Sequence, residues 1–183
     1  MFNFCTLFDI NYFTRGLILY ESLRASMISD FCLYVVLFDD ESFQKLSNLK
    51  LEFLIPIKLE DFENKKLLSV KSERTRAEYC WTCTPWVIKY TIEKYNLSHC
   101  TYLDADLYFY KDPKILIDEL DESDSILITE HDYYKEYDQT DKSGKYCVQF
   151  IIFDRLGSEY VRDWWEKKCL EWCYDRIEEG KFG

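Results

Sequence analysis

Glycine is scarce in this chain. Five residues, at positions 16, 144, 157, 180 and 183, stand where average usage would give roughly 13. That spacing holds neither a dinucleotide-binding fingerprint nor a phosphate-cradling P-loop. Proline is scarcer still, at three residues, which excludes collagen-like, linker-rich and low-complexity chains. Basic charge is in deficit: 23 Lys and Arg against 34 Asp and Glu give a formal net charge of −11. A chain this acidic is a poor non-specific partner for nucleic acid, whose phosphates need a basic surface. Long apolar runs are lacking too. The longest, Phe31 to Phe38, falls far short of the ~18 residues of a membrane helix. The first residues, Met1-Phe2-Asn3-Phe4-Cys5, carry no basic stretch, and Asp9 falls where a signal sequence would be apolar. The expectation is a cytoplasmic chain without a membrane-spanning segment, with peripheral attachment at the inner face of a membrane left open.

What is present is enough to bury a core. Of 183 residues, 48% are hydrophobic, 18% aromatic and 31% charged, so the expectation is one domain over residues 1–183. Eight cysteines are too few for a disulfide scaffold. The pairs Cys80/Cys83 and Cys169/Cys173 have two readings. One is a four-thiolate zinc site; the favoured one is small apolar side chains on the buried faces of two helices.

Strand and helix patterns alternate. Phe2–Leu7 reads as a strand, followed by a helix from Thr14 or Arg15 toward Asp30. Phe31–Phe38 reads as a strand covered on both faces, and Asp39 or Asp40 caps a helix through Leu46. Leu51–Ile57 reads as a third strand. Residues 65–95 read as helical with a break at Thr84-Pro85, where Thr84 is an N-cap and Pro85 opens the next helix. Cys100–Leu103 is a short strand, continued after a kink by Tyr108–Tyr110. Pro113–Leu120 and Ser158–Glu179 read as helices, and Ser125–Thr129 and Tyr146–Phe153 as strands. This alternation predicts an α/β layer fold with a largely parallel sheet, whose ligands sit beyond the carboxyl ends of the strands.

The strongest chemical signal lies at one such end, in Tyr102-Leu103-Asp104-Ala105-Asp106. In extended backbone the two carboxylates point to one side, where they repel each other unless a cation lies between them. Hard oxygen ligands at that spacing suit Mn²⁺ or Mg²⁺ with positions left for phosphate oxygens. The alternative is a polar loop after a strand.

With these residues the chain resembles GT-A-fold glycosyltransferases, bacterial enzymes that use nucleotide-diphosphate sugars and carry Tyr-Leu-Asp-x-Asp. The resemblance implies a Rossmann-like sandwich, its largely parallel central sheet covered by helices on both faces. It implies Asp104 and Asp106 as ligands of Mn²⁺ or Mg²⁺. Leu7-Phe8-Asp9-Ile10-Asn11-Tyr12 is similar to the first-strand loop of the glycogenin and galactosyltransferase-like enzymes. By that likeness Phe8, Asp9, Asn11 and Tyr12 bind the nucleotide, with Asp9 and Asn11 on the base edge and Tyr12 stacked on it; otherwise Tyr12 and Phe13 staple the next helix. Arg74 or Arg76 is placed against the diphosphate, Arg76 being the choice, with a solvated helix face as the alternative. Gln149, the one polar side chain between Cys147 and Phe153, is placed toward the sugar, or else faces a rim. His131 is a second residue for sugar or acceptor, against a loop role, whereas His99 reads as structural. Asp132 stands where the family has Arg, which weakens phosphate binding there.

The family continues past Gly183 with an Asp-Gln pair and a metal-binding His, so an acceptor-binding C-terminal part is expected to be missing. The function implied is metal-dependent transfer of a hexose from a nucleotide-diphosphate sugar to an acceptor hydroxyl on a glycan, a lipid-linked sugar or a protein. The rivals are a donor-binding module without turnover and a sugar-1-phosphate nucleotidyltransferase. The latter usually carries a glycine-rich basic loop where this chain has Phe8–Arg15.

Overall fold

The computed structural model describes residues 1–121, 123–176 and 178–181; the terminal Phe182 and Gly183 lie outside the described residues. Six strands form one sheet: β1 (Phe2–Phe8), β2 (Phe31–Leu37), β3 (Leu54–Lys58), β4 (His99–Leu103), β5 (Ile126–Glu130) and β6 (Tyr146–Asp154). Their order is β3-β2-β1-β4-β6-β5. The β1–β2, β2–β3 and β1–β4 pairs are parallel, and β6 runs antiparallel to both β4 and β5. Pro56 sits in β3, at the sheet edge, where a missing N–H is tolerated.

Side chains alternate across the sheet and build two cores. Cys5, Leu7, Cys32, Tyr34, Val36, Cys100 and Tyr102 face one cluster. The helices among the described residues are α1 (Phe13–Ser26), α2 (Asp40–Leu49), α3 (Leu59–Phe62), α4 (Lys65–Lys71), α5 (Arg76–Lys94), α6 (Lys114–Ile117), α7 (Thr140–Ser143) and α8 (Glu159–Glu171), and this cluster meets α5 and, at its margin, α8. Phe4, Phe8, Phe31, Leu33, Val35, Leu37 and Leu103 face the other. They meet α1 and α2. Every residue of β2 is buried, as expected for a strand covered on both faces.

Helix α5 departs from the sequence expectation. It runs unbroken through Pro85. Its cap is Thr75: the Thr75 hydroxyl accepts from Glu78 N at 3.3 Å and the Glu78 carboxylate accepts from Thr75 N at 2.7 Å, a reciprocal capping box. Thr84 turns back to donate to the Cys80 carbonyl at 3.4 Å. Burial of Thr84, Pro85, Trp86, Val87 and Ile88 outweighs the single helix bond that proline removes. Two further expectations change. Tyr108–Tyr110 is no strand, because the chain crosses to α1, where Phe109 N donates to Ser22 Oγ at 3.1 Å. Helix α8 ends at Glu171 rather than Glu179. Arg74 donates to the Leu170 carbonyl in its last turn at 3.3 Å, and Asp175 N donates to Glu78 at 2.8 Å, drawing the chain back over the start of α5.

All eight cysteines are free thiols. Cys83 and Cys169 are buried on α5 and α8, and Cys173 is buried two residues past α8. Glu166 on α8 is a costlier tenant of the same seam. One carboxylate oxygen accepts from Lys89 at 3.4 Å, while Lys89 makes its shorter bond, 2.7 Å, to Asp163. The other oxygen is buried without a partner. Burial, only partly offset by Lys89, pushes Glu166 up to about 7. A carboxyl held above its unfolded value contributes stability below that value and loses it as pH rises through the folded one. Glu166→Gln should therefore melt near the parent at pH 5 and above it at pH 8, by on the order of 1–3 kcal/mol. An equal difference at both pH values would show that Glu166 is fully ionised in the seam.

Candidate active site

Strands β1, β2 and β3 progress toward one edge of the sheet, whereas β4 lies on the other side of β1. The crevice between the ends of β1 and β4 is therefore a topological switch point, the place where open α/β sheets bind ligands. The loop 9–12 leaves β1 there and the loop 104–107 leaves β4 beside it.

Asp9 organises the first loop. Its Oδ1 accepts from Asn11 N at 2.9 Å and Tyr12 N at 3.3 Å, capping a 3-10 turn over Ile10–Tyr12. Its Oδ2 accepts from Asn11 Nδ2 at 3.0 Å and pairs with Arg76 Nε at 2.7 Å. Asp39, at the end of β2, joins the same cluster. It accepts from Ile10 N and Ser42 N, each at 2.8 Å, and from Arg76 Nη2 at 3.2 Å. Burial works against its charge, but the two N–H groups outweigh it and hold the carboxyl below its ordinary value. Arg76 thus ties the ends of β1 and β2 together from the first turn of α5 while its side chain stays 56% exposed. Tyr12 is exposed, and the Arg15 guanidinium lies 4.5 Å from its ring centroid.

The second loop is a turn rather than an extended segment: Leu107 N donates to the Asp104 carbonyl at 3.2 Å. The Asp104 carboxylate accepts from the Tyr102 hydroxyl at 2.9 Å through Oδ1. Burial pushes Asp104 above the ordinary carboxylate range; the Tyr102 hydroxyl opposes this and the Asp106 charge adds to it. Asp106 is half exposed and lies 3.9 Å from Arg15. Asp104 N donates to the Gln149 carbonyl at 3.0 Å, one step beyond the Leu103–Phe150 pair, so Gln149 stands opposite Asp104 across the β4–β6 seam.

Among the described residues no group of three or more His, Cys, Asp and Glu is arranged to hold a metal ion. Asp104 and Asp106 nevertheless fit a hard divalent ion of the kind bound by one or two carboxylates together with substrate phosphates. Both offer oxygen ligands. The balance of charge agrees: among the described residues Asp9 and Asp39 pair with Arg76 and Asp106 with Arg15, while Asp104 makes no ion pair.

The remaining expected residues lie elsewhere. The Phe8 ring is buried in the core, edge-to-face with Phe13 at 6.5 Å, so only its backbone faces the crevice. Arg74 is buried, 3.7 Å from the Tyr174 ring and bonded to α8, away from Asp9 and Asp39. His131 N donates to the Lys145 carbonyl at 2.9 Å, and its ring stacks on Tyr133. The register of β6 against β5 shifts between Ile128 and Thr129, which pair with Ile151 and Cys147, so His131 stands three residues past Ile128 beside Lys145. His99 is at the opposite end of β4 from Asp104. Asp39 and Arg15 complete the crevice although neither belongs to a motif. In the sequence Asp39 is legible as a helix cap at a strand end where ligands are expected, and Arg15 carries no signal beyond its place near Tyr12.

No family model matches the chain. It is 30% identical to YfnF, an uncharacterized protein of Bacillus subtilis, over 98% of this chain and 62% of that protein. It is 27% identical to YfnD, an uncharacterized protein of the same organism, over 94% of this chain and 56% of that one. The chain therefore spans less than two thirds of either relative. Among solved structures it is similar to mouse xyloside xylosyltransferase 1, with a TM-score of 0.61 at 12% identity over 94% of this chain and 77% of the other. It is also similar to the galactosyltransferase LgtC in complex with donor and acceptor sugar analogs, at 0.60 and 12% over 96% and 66%. For the glycosyltransferase GlyE of Streptococcus pneumoniae the values are 0.57 and 18% over 98% and 41%. These likenesses show a GT-A glycosyltransferase fold. Among the described residues no helix is long and apolar enough to cross a membrane.

Proposed function

We propose that this GT-A-fold chain is the donor-binding domain of a metal-dependent glycosyltransferase, which transfers a hexose from a nucleotide-diphosphate sugar to an acceptor hydroxyl. One observation carries the reading: the Asp104-Ala105-Asp106 turn and the Asp9–Tyr12 loop flank the same switch-point crevice between β1 and β4. In this reading Asp104 and Asp106 hold Mn²⁺ or Mg²⁺ against the donor diphosphate. The ion, when bound, neutralises charge on the leaving nucleoside diphosphate. Asp9 and Asn11 shape the nucleoside loop and Tyr12 offers the base a ring face. Arg76, now shared between Asp9 and Asp39, turns its planar fork to phosphate. Gln149, opposite Asp104, faces the sugar. The donor and acceptor analogs bound to LgtC support a two-substrate reaction on this fold.

Tyr12→Ala should weaken nucleoside diphosphate binding by about 1–3 kcal/mol, the range of base–aromatic stacking. A variant that binds as tightly as the parent in calorimetry takes Tyr12 out of the site. The reading as a whole is tested by incubating the protein with UDP-, GDP-, ADP- and dTDP-sugars, with Mn²⁺ or with EDTA, and measuring released nucleoside diphosphate. Mn²⁺-dependent release from one donor is the expected result. Donor binding without release would favour a module without turnover. No binding of any donor would overturn both.

A further inference from the structure

Arg15 lies in the first turn of α1, where nothing favours a cation. The positive end of the helix dipole repels it. No side chain caps α1, and no acidic residue lies in its first turn. A residue that breaks a local rule at a crevice is accounted for by the crevice rather than the helix. The guanidinium reaches two groups there: the Tyr12 ring, 4.5 Å from its centroid, and Asp106 Oδ2 at 3.9 Å. The close approach of α1 to β1 fixes its position, because Gly16, the next residue, packs directly against the Phe8 ring.

We infer that Arg15 is the resident counter-cation of Asp106 and competes with a divalent cation for that carboxylate. The inference rests on the reading of Asp104 and Asp106 as metal ligands. Bound by itself, a divalent ion must either displace the guanidinium or sit beside it, and both weaken its hold. A diphosphate arriving with the ion offers the guanidinium another anion, with Tyr12 as the pivot. Metal alone then binds weakly, and each of metal and nucleotide raises the affinity for the other, as linkage requires.

The test titrates Mn²⁺ alone into the nucleotide-free chain at low ionic strength and reads free Mn²⁺ by electron paramagnetic resonance. Four proteins are compared: the parent, Arg15→Gln, Arg24→Gln and Asp106→Asn. Arg24 is an exposed cation at the far end of the same helix, so Arg24→Gln controls for the change in net charge. The expected result is about fivefold tighter Mn²⁺ binding in Arg15→Gln, the scale of one exposed charge pair near 4 Å. Arg24→Gln should stay within twofold of the parent, and Asp106→Asn should bind more weakly. If Arg15→Gln matches the parent while Asp106→Asn loses affinity, this inference falls and the metal site stands. Equal gains in Arg15→Gln and Arg24→Gln also overturn it, since they report only the field of the whole chain. If Asp106→Asn binds Mn²⁺ as the parent does, the metal site and the inference fall together.

Discussion

Asp104→Asn and Asp106→Asn should each lower metal-dependent release of nucleoside diphosphate by about a hundredfold or more, with no loss of thermal stability. The activity term follows from the several kcal/mol of charge stabilisation that a bound metal supplies to a leaving phosphate, since each 1.36 kcal/mol is tenfold in rate. The stability term has the opposite sign. Asp104 is held above its ordinary range by burial and, in smaller part, by the Asp106 charge, so an amide there relieves a cost at neutral pH. Its carbonyl can still accept from the Tyr102 hydroxyl, which now bonds Oδ1 at 2.9 Å. Release assays and calorimetry of nucleoside diphosphate binding, each with and without Mn²⁺, paired with melting curves at pH 7.5, read both terms. Unchanged Mn²⁺-dependent affinity in both variants would remove these carboxylates from the metal role. A falling melting temperature would mean that they are structural.

The elements legible in the sequence were those whose local pattern and tertiary setting agree. The unbroken apolar run at Phe31–Phe38 became β2, buried along its whole length. The alternation of strands and helices carried the parallel set β3-β2-β1-β4 and with it the end of the sheet where the crevice lies. The failures fall where packing overrides a local rule. Thr84-Pro85 has the chemistry of a helix start, yet eleven residues of α5 are buried, and the helix continues through it. Ser158–Glu179 keeps helical periodicity past Glu171, but Arg74 and Glu78, distant in sequence, pull the chain into another course.

The crevice divides in the same way. Asp9, Asn11, Tyr12, Asp104 and Asp106 were legible as candidates because each loop is contiguous in sequence, and the pairing of β1 with β4 sets the two loops side by side. The predicted geometry of the carboxylates was wrong in detail, because alternation in an extended strand does not apply to a turn closed by Leu107 N. Asp39 stands at a strand end where the sequence already directs attention, but its contacts with Ile10 and Arg76, and the place of Arg15, depend on which strands are neighbours, and no spacing along the chain encodes that. His131 shows the converse. Its position after a strand suggested the site, but a register shift in β6 between the partners of Ile128 and Thr129 sets where it stands, and no spacing in the sequence marks that shift.

Gly16→Val should be among the most destabilising single changes in the chain, at about 2–3 kcal/mol, the upper part of the range for overpacking. For a chain of this length that is a drop in melting temperature of about 5–10 °C. Glycine inside a helix ordinarily costs ~1 kcal/mol relative to alanine, so its presence in α1 needs a reason. A Cβ built there lies 2.4 Å from Phe8 Cε1 and 2.5 Å from Cζ. The ring has little room to yield, because it is 4% exposed and stands edge-to-face with Phe13. Either Phe8 turns out of the core or α1 moves off the sheet. Both movements disturb the crevice, since Asp9 follows Phe8 directly and Arg15 precedes Gly16. Nucleoside diphosphate affinity should therefore fall together with stability. Gly16→Ala should show a smaller loss, because its better helix propensity offsets part of the overlap. Combining it with Phe8→Leu, which shortens the opposing ring, should recover part of that loss, a coupling that only neighbours in contact produce. Strict additivity in the double variant would mean that Gly16 is kept for its backbone and not for the room it leaves Phe8.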